Sequence, residues 1–178
     1  MAAGKGQGTY SIEVDPYELK NLFQLLSSLP KESQNAVRDQ AQPLSKRLAG
    51  QLMMSALTAP SPQTKLVMQS ISTPRDRLVR VDLGGSKKVG RKYGGTMSKN
   101  GKTRVKQNAA PAGALLWGTE YGSHSGTDSA GRKYTNRFKA APNKMGYWIR
   151  PAVDTYTPIL AKEYIAMVQG VINDLGFK

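Results

Sequence analysis

The spacing of apolar positions changes several times along the chain, and each change predicts an element. Tyr10, Ile12 and Val14 alternate with Ser11 and Glu13, the period of a short half-buried strand. The period then lengthens to that of a helix. Asp15 is placed to cap it, Pro16 suits a first turn whose N–H would be unpaired anyway, and Glu18 completes a capping-box spacing. Leu19, Leu22, Phe23, Leu26 and Leu29 form the apolar stripe of that helix. Pro30 ends it and opens a second helix over about residues 31–57, with Val37, Ala41, Leu44, Leu48, Leu52 and Ala56 on one face. Pro43 lies inside this helix, where its missing N–H predicts a kink.

Ser61 followed by Pro62 reads as another cap with a first-turn proline, and predicts a short helix to about residue 70. Residues 71–73 and 78–83 then read as a hairpin around Pro74, Arg75 and Asp76, with Val79, Val81 and Leu83 on the inward face. A glycine-rich stretch follows, expected as a long twisted ribbon anchored by Val89, Tyr93, Met97 and Val105. Residues 112–121 contain Leu115, Leu116 and Trp117 and predict a short helix or buried turn that stops at Gly122. Tyr147, Trp148 and Ile149 read as a brief strand before Arg150 and Pro151. The closing helix carries Val153, Tyr156, Leu160, Tyr164, Val168, Val171 and Leu175, with Gly176 as its stop. No internal repeat is present, which excludes a solenoid.

Charge changes this picture most in the middle of the chain. Residues 75–144 hold 16 of the 26 Lys and Arg residues against four acids, Asp76, Asp82, Glu120 and Asp128, so nearly all of the net +14 sits there. The stretch is also rich in glycine, and little of it can bury enough apolar surface to offset its ordering entropy. The reading is therefore a loose tail at residues 1–8 and one domain at 9–178, with loop excursions at about 84–111 and 123–146. The absence of cysteine removes disulfides and thiolate metal sites, and no metal or cofactor is expected. No run approaches the roughly 20 apolar residues of a spanning helix and the first residues lack a signal-peptide core, so the chain reads as soluble, with no membrane partner.

Candidate chemistry is sparse. Gly95 and Gly101 with Lys102 and Thr103 resemble a phosphate loop, yet five residues separate the glycines where four are needed, and no helix follows to aim amide dipoles at a phosphate. His124 sits in a Ser/Gly loop without a nearby carboxylate or nucleophile, so it reads as a solvated side chain rather than a general base. No catalytic residues are assigned, and an enzyme is not expected. The basic residues read better as contacts to DNA or to an acidic protein partner: Lys87, Lys88, Arg91, Lys92, Lys99, Lys102, Arg104 and Lys106 in the first excursion, Arg132, Lys133, Arg137 and Lys139 in the second. Nothing in the pattern places a side chain on a base edge, so any DNA contact is non-specific. Trp117, Glu120, Tyr121, Tyr147, Trp148 and Arg150 flank the second excursion as anchors, either of the core or of a subunit interface.

The order of these elements, with three local patterns, resembles the small tail-component proteins of long-tailed bacteriophages, the tail-completion or head-tail joining group. The first helix ends at Leu29-Pro30, as in that family. Thr64-Lys65-Leu66-Val67-Met68-Gln69-Ser70-Ile71 matches a pattern T-G-x-L-x-x-S-I, with Lys65 for Gly and Val67 for Leu. Glu120-Tyr121-Gly122-Ser123 matches an aromatic turn ending E-F-G-T, and Tyr147-Trp148-Ile149-Arg150-Pro151-Ala152 matches the second half of R-P-F-L-R-P-A. The resemblance spans about residues 9–175, and the two basic excursions are longer than the family pattern.

The resemblance implies a structural virion protein, made in the host cytoplasm and assembled as a homo-oligomeric ring, commonly sixfold. The ring would sit at the head-tail junction, or neck, between the capsid connector and adjacent neck and tail-tube proteins, with double-stranded DNA passing through its lumen. A tail terminator or head-closure protein of the same neck is the near alternative, and a free non-specific nucleic-acid-binding protein the alternative of another class. The expected fold is α+β: N-terminal helices and a long C-terminal helix packed on a small, mostly antiparallel sheet, with long basic glycine-rich loops.

Overall fold

A computed structural model describes residues 9–13, 27, 30–93 and 108–174. The expected tail at 1–8, most of the helix expected over 15–29, and Lys99, Lys102, Arg104 and Lys106 lie outside the described residues. The fold is α+β, as the sequence predicts. Its elements are β1 (Thr9–Glu13), α1 (Lys31–Thr58), α2 (Thr64–Met68), β2 (Arg80–Gly84), β3 (Lys88–Tyr93), β4 (Asn108–Pro111), α3 (Ala112–Tyr121), β5 (Gly126–Thr127), β6 (Lys133–Tyr134) and α4 (Ile149–Asp174).

Helices α1 and α4 form the frame. At about 1.5 Å per residue each is roughly 40 Å long, and they run antiparallel: Ser55 of α1 bonds the Trp148 carbonyl at 2.9 Å, while Arg47 meets Glu163 at 2.6 Å. Their facing stripes are the ones the spacing predicts, with Val37, Ala41, Leu48, Leu52 and Ala56 buried against Leu160, Tyr164, Val168 and Val171. Both helices continue through an internal proline, Pro43 and Pro158. Pro43 is exposed, so its ring meets solvent rather than the core.

Strands are few and all antiparallel, arranged among the described residues as three two-stranded ladders: β1 with β2, β3 with β4, and β5 with β6. The hairpin expected over 71–83 reduces to a single bridge between Ser72 and Asp82, because the main ladder partner of β2 is the distant β1, in register from Thr9 opposite Gly84 to Glu13 opposite Arg80. The inward face is as expected, with Val79, Val81 and Leu83 buried. Buried hydroxyls fasten this ladder to the helices: Ser45 accepts the Arg80 N–H at 3.0 Å, and Ser70, just past α2, accepts the Gly84 N–H at 2.8 Å. The strand expected at 147–149 does not form. Tyr147 and Trp148 form a bend, and Ile149 opens α4, two residues before Pro151.

Tyr164 joins the frame to the turn before β2. It is fully buried, and its hydroxyl donates to the Arg77 carbonyl at 2.7 Å. Burial pushes its pKa up to about 12, with the Arg77 charge opposing and Asp76 adding. Its folded pKa thus exceeds the unfolded value near 10, so the associated stability is intact below about pH 10 and is lost as pH rises from about 10 towards 12. Tyr164→Phe is expected to cost about 1 kcal/mol at neutral pH. It should also flatten the stability decline between about pH 10 and 12 relative to the parent, measured by urea unfolding across that range.

Candidate functional site

The segment from α3 to the start of α4 carries most of the described candidate residues, and one carboxylate organises it. Glu120, near the end of α3, is 1% exposed. Its Oε2 accepts the N–H groups of Trp148 at 3.1 Å and Ile149 at 2.8 Å, and its Oε1 accepts that of Arg150 at 2.9 Å. The opening N–H groups of a helix lack partners within the helix, and the dipole there favours negative charge. Glu120 therefore serves as an N-terminal cap for α4, delivered from nearly thirty residues upstream. The chain can bring this carboxylate so close only because residue 146 is glycine: its φ is +77°, and a Cβ there would overlap Glu120 Oε1.

The anchors separate into two groups. Trp148 is 0% exposed and lies in the core, as Glu120 does, whereas Trp117 and Tyr121 are 46% and 37% exposed. Their rings stack at 5.9 Å between centroids, 20° from parallel. With Ile149, Arg150, Val153 and Asp154 they border a cleft of 270 Å³ whose floor is Glu120. Arg150 is exposed and pairs with Asp154 at 3.6 Å. Tyr147 is partly buried, and its hydroxyl donates to the Ala141 carbonyl at 2.9 Å.

The second excursion is more ordered than its composition suggests. Its tip is the β5–β6 hairpin, closed by Asp128, whose carboxylate accepts the N–H groups of Ala130 at 3.0 Å and Arg132 at 2.8 Å. Its return limb is fixed by the Asn136 side-chain amide, which donates to the carbonyls of Ser123 at 2.5 Å and Ala140 at 2.8 Å while its oxygen accepts from the Phe138 N–H at 3.0 Å. The Phe138 ring lies directly on the α3 backbone at Gly118, where a Cβ would overlap it. Asn143 completes the frame, its N–H donating to the Tyr121 carbonyl at 2.9 Å and its side chain to that of Gly146 at 3.0 Å. Local amide and aromatic contacts thus replace the apolar core that a charged loop lacks.

The first excursion leaves the opposite end of α3, whose ten residues span about 15 Å. The N–H groups of Gly113 and Ala112 donate to the carbonyls of Gly85 and Lys87 at 2.9 and 2.8 Å, so the β3–β4 ribbon is welded to that end. Residues flanking α2 touch both excursions: Gln63 donates to the Arg137 carbonyl at 2.6 Å, and the Lys87 ammonium donates to the Gln69 carbonyl.

Several arginines of the frame have acidic partners, although Arg38, Lys46 and Lys162 have none among the described residues. On the frame, Arg47 pairs with Glu163, Arg75 with Asp39 at 2.7 Å, and Arg80 with Asp82 at 2.9 Å. The Arg75 hydrogen bond holds the Asp39 carboxyl below its usual range. Lys88, Arg91, Lys92, Arg132, Lys133, Arg137 and Lys139 are all exposed, and among the described residues none is paired with a carboxylate. His124 is exposed, with its ring nitrogen 3.3 Å from the Tyr134 hydroxyl.

Sequence reasoning missed the residues that shape the second excursion, Gly118, Asn136, Phe138, Asn143 and Gly146. A glycine inside a predicted helix was the available signal, since such a glycine often marks a close approach; the ring that meets it lies twenty residues on and has no periodic signature. Among the described residues, no group of three or more His, Cys, Asp or Glu side chains converges on a metal-sized site, and no helix is long and apolar enough to cross a membrane. Comparison with protein-family models, curated proteins and solved structures returns no match to this chain.

Glu120→Ala would leave three buried or half-buried N–H groups without their acceptor and is expected to destabilise by about 3–5 kcal/mol. Trp148→Ala is expected to cost a similar 3–5 kcal/mol as a core truncation. Chemical denaturation of both variants checks these values. A loss below about 1 kcal/mol for either would remove that residue from the core.

Proposed function

We propose that this chain is a structural virion protein of a tailed bacteriophage, a ring-forming head-tail junction or tail-completion component that joins the capsid connector to the tail and lets DNA pass. The observation that carries the reading is the Glu120 contact. Two patterns behind the resemblance, Glu120-Tyr121-Gly122-Ser123 and Tyr147-Trp148-Ile149-Arg150-Pro151-Ala152, meet in one buried cap, which gives a physical reason for both to occur in this order. The third pattern, Thr64 to Ile71, contains Ser70, whose hydroxyl ties the end of α2 to the end of β2. All three sit at joints of the frame.

A ring needs a surface that meets a copy of itself head to tail. The outward Trp117–Tyr121 stack beside the Arg150–Asp154 pair suits such a contact, because exposed aromatic and Arg side chains are the usual anchors of interfaces. The unpaired cations on the excursions suit the other requirement, a lumen that DNA traverses without sequence readout. A tail terminator or head-closure protein of the same neck meets the same requirements. The unpaired cations also favour a second reading of another class, a free non-specific nucleic-acid-binding protein.

A cryo-EM map of the virion decides between them. Density for this chain in a ring between capsid and tail tube is expected; density in the capsid shell or the baseplate, or none at all, would overturn the neck reading. Tight binding of random duplex by a monomer, with no copy in the virion, would instead establish the second reading. Within the neck reading, Trp117→Ala combined with Tyr121→Ala is expected to abolish ring formation in sedimentation analysis while changing unfolding free energy by about 1 kcal/mol or less. Rings that persist in that variant would place the interface elsewhere.

A further inference from the structure

Residues 123–146 carry five cations, Arg132, Lys133, Arg137, Lys139 and Lys144, against one acid, Asp128. The Asp128 carboxylate is directed at backbone N–H groups of its own turn rather than at any of these cations. All five cations are exposed, and among the described residues none is paired with a carboxylate. A merely solubilising loop would not need an internal frame, yet this one is held at three places: the Asn136 amide, the Phe138 ring on Gly118, and the Asn143 bonds to both α3 and the approach to α4. Lys139 takes a φ of +54°, a conformation that disfavours side chains, so the frame holds a cation where glycine or asparagine would sit with less strain.

We infer that this excursion is a preformed platform for the phosphate backbone of duplex DNA, with Arg132, Lys133, Arg137 and Lys139 as the contact groups. The surroundings favour DNA over an acidic protein. Apart from Tyr134 and Met145, the exposed residues of the excursion are small, polar or charged. Protein–protein interfaces centre on apolar and aromatic residues and are depleted in lysine, whereas protein–DNA interfaces are polar and strongly positive. Order matters to affinity as well as charge. Cations on a fixed frame lose less conformational freedom on meeting phosphates than the same cations on a loose chain. The platform rests on the neck reading only for the choice of DNA as the polyanion; its phosphate contacts need no ring.

The test is a titration of the full chain against random duplex DNA over a range of salt, at concentrations suited to weak binding. Each lost phosphate contact should reduce the slope of log K against log salt by about 0.9. Replacing Arg132, Lys133, Arg137 and Lys139 together with alanine is thus expected to lower the slope by about 3–4. Phe138→Ala keeps every charge and leaves α3 unclashed; it should weaken binding at least several-fold, with circular dichroism matching the parent. A slope unchanged by the fourfold substitution overturns the platform as a DNA contact. Parent-like affinity of Phe138→Ala, where the fourfold variant binds weakly, overturns its preformed character. Binding that moves with these residues for polyglutamate but not for duplex assigns the platform to an acidic protein and overturns the inference. None of these outcomes depends on where the virion map places the chain, so the platform and the neck reading fail separately.

Discussion

A single buried carboxylate closes the fold at its busiest joint. Burying an unpaired carboxylate costs several kcal/mol, and only good geometry with added hydrogen bonds offsets it. Glu120 meets that condition with three backbone N–H donors and the positive end of α4. Because those donors begin the helix that packs along α1, the carboxylate fixes the entry of α4, the position of Trp148 in the core and, through Ser55, the end of α1. It also fixes the distance the chain must cover between α3 and α4. The second excursion has both of its ends anchored at this joint.

That anchoring explains how a basic, polar segment holds a shape without an apolar core of its own. Its return end is pinned by Asn143 to α3 and by Gly146 beneath Glu120; its middle rests on the helix through Phe138 and Gly118. The first excursion uses a different device, a two-stranded ladder joined to the other end of α3 by backbone hydrogen bonds. Helix α3 is thus a short strut with a cationic arm at each end. On helices α1 and α4, Arg47 pairs with Glu163 and Arg150 with Asp154, while Arg38 bonds the Asn35 side chain. The described cations of the arms, exposed and without a carboxylate partner among the described residues, are what a protein would need that meets a polyanion.

The division between frame and arms also bears on the proposed neck role. An assembly contact that depends on Trp117 and Tyr121 would lie on the solvent side of the same helix whose buried side carries Leu116 and Glu120. Docking of a second copy there would press on the joint that sets α4, so assembly and the placement of both arms would be mechanically linked.

Much of the frame was legible in the sequence because periodicity is a local signal. The stripes from Val37 to Ala56 and from Leu160 to Val171 report burial directly, since one side of a helix repeats every 3.6 residues. The inward face of β2, the α3 segment and the concentration of charge were legible for the same reason. The pairing of β2 with β1 rather than with residues 71–73 was not, because long-range ladders leave no local trace beyond each strand's own alternation. Nor could spacing decide that Trp148 is core while Trp117 faces solvent: aromatic residues satisfy both roles, and the choice depends on what packs opposite. The sequence alone determined the composition of the arms and the helices that carry them. Only the tertiary structure decided that Glu120 caps a helix nearly thirty residues away and that the second arm has a frame, because both depend on backbone groups and glycine clearances that become neighbours only when the chain folds.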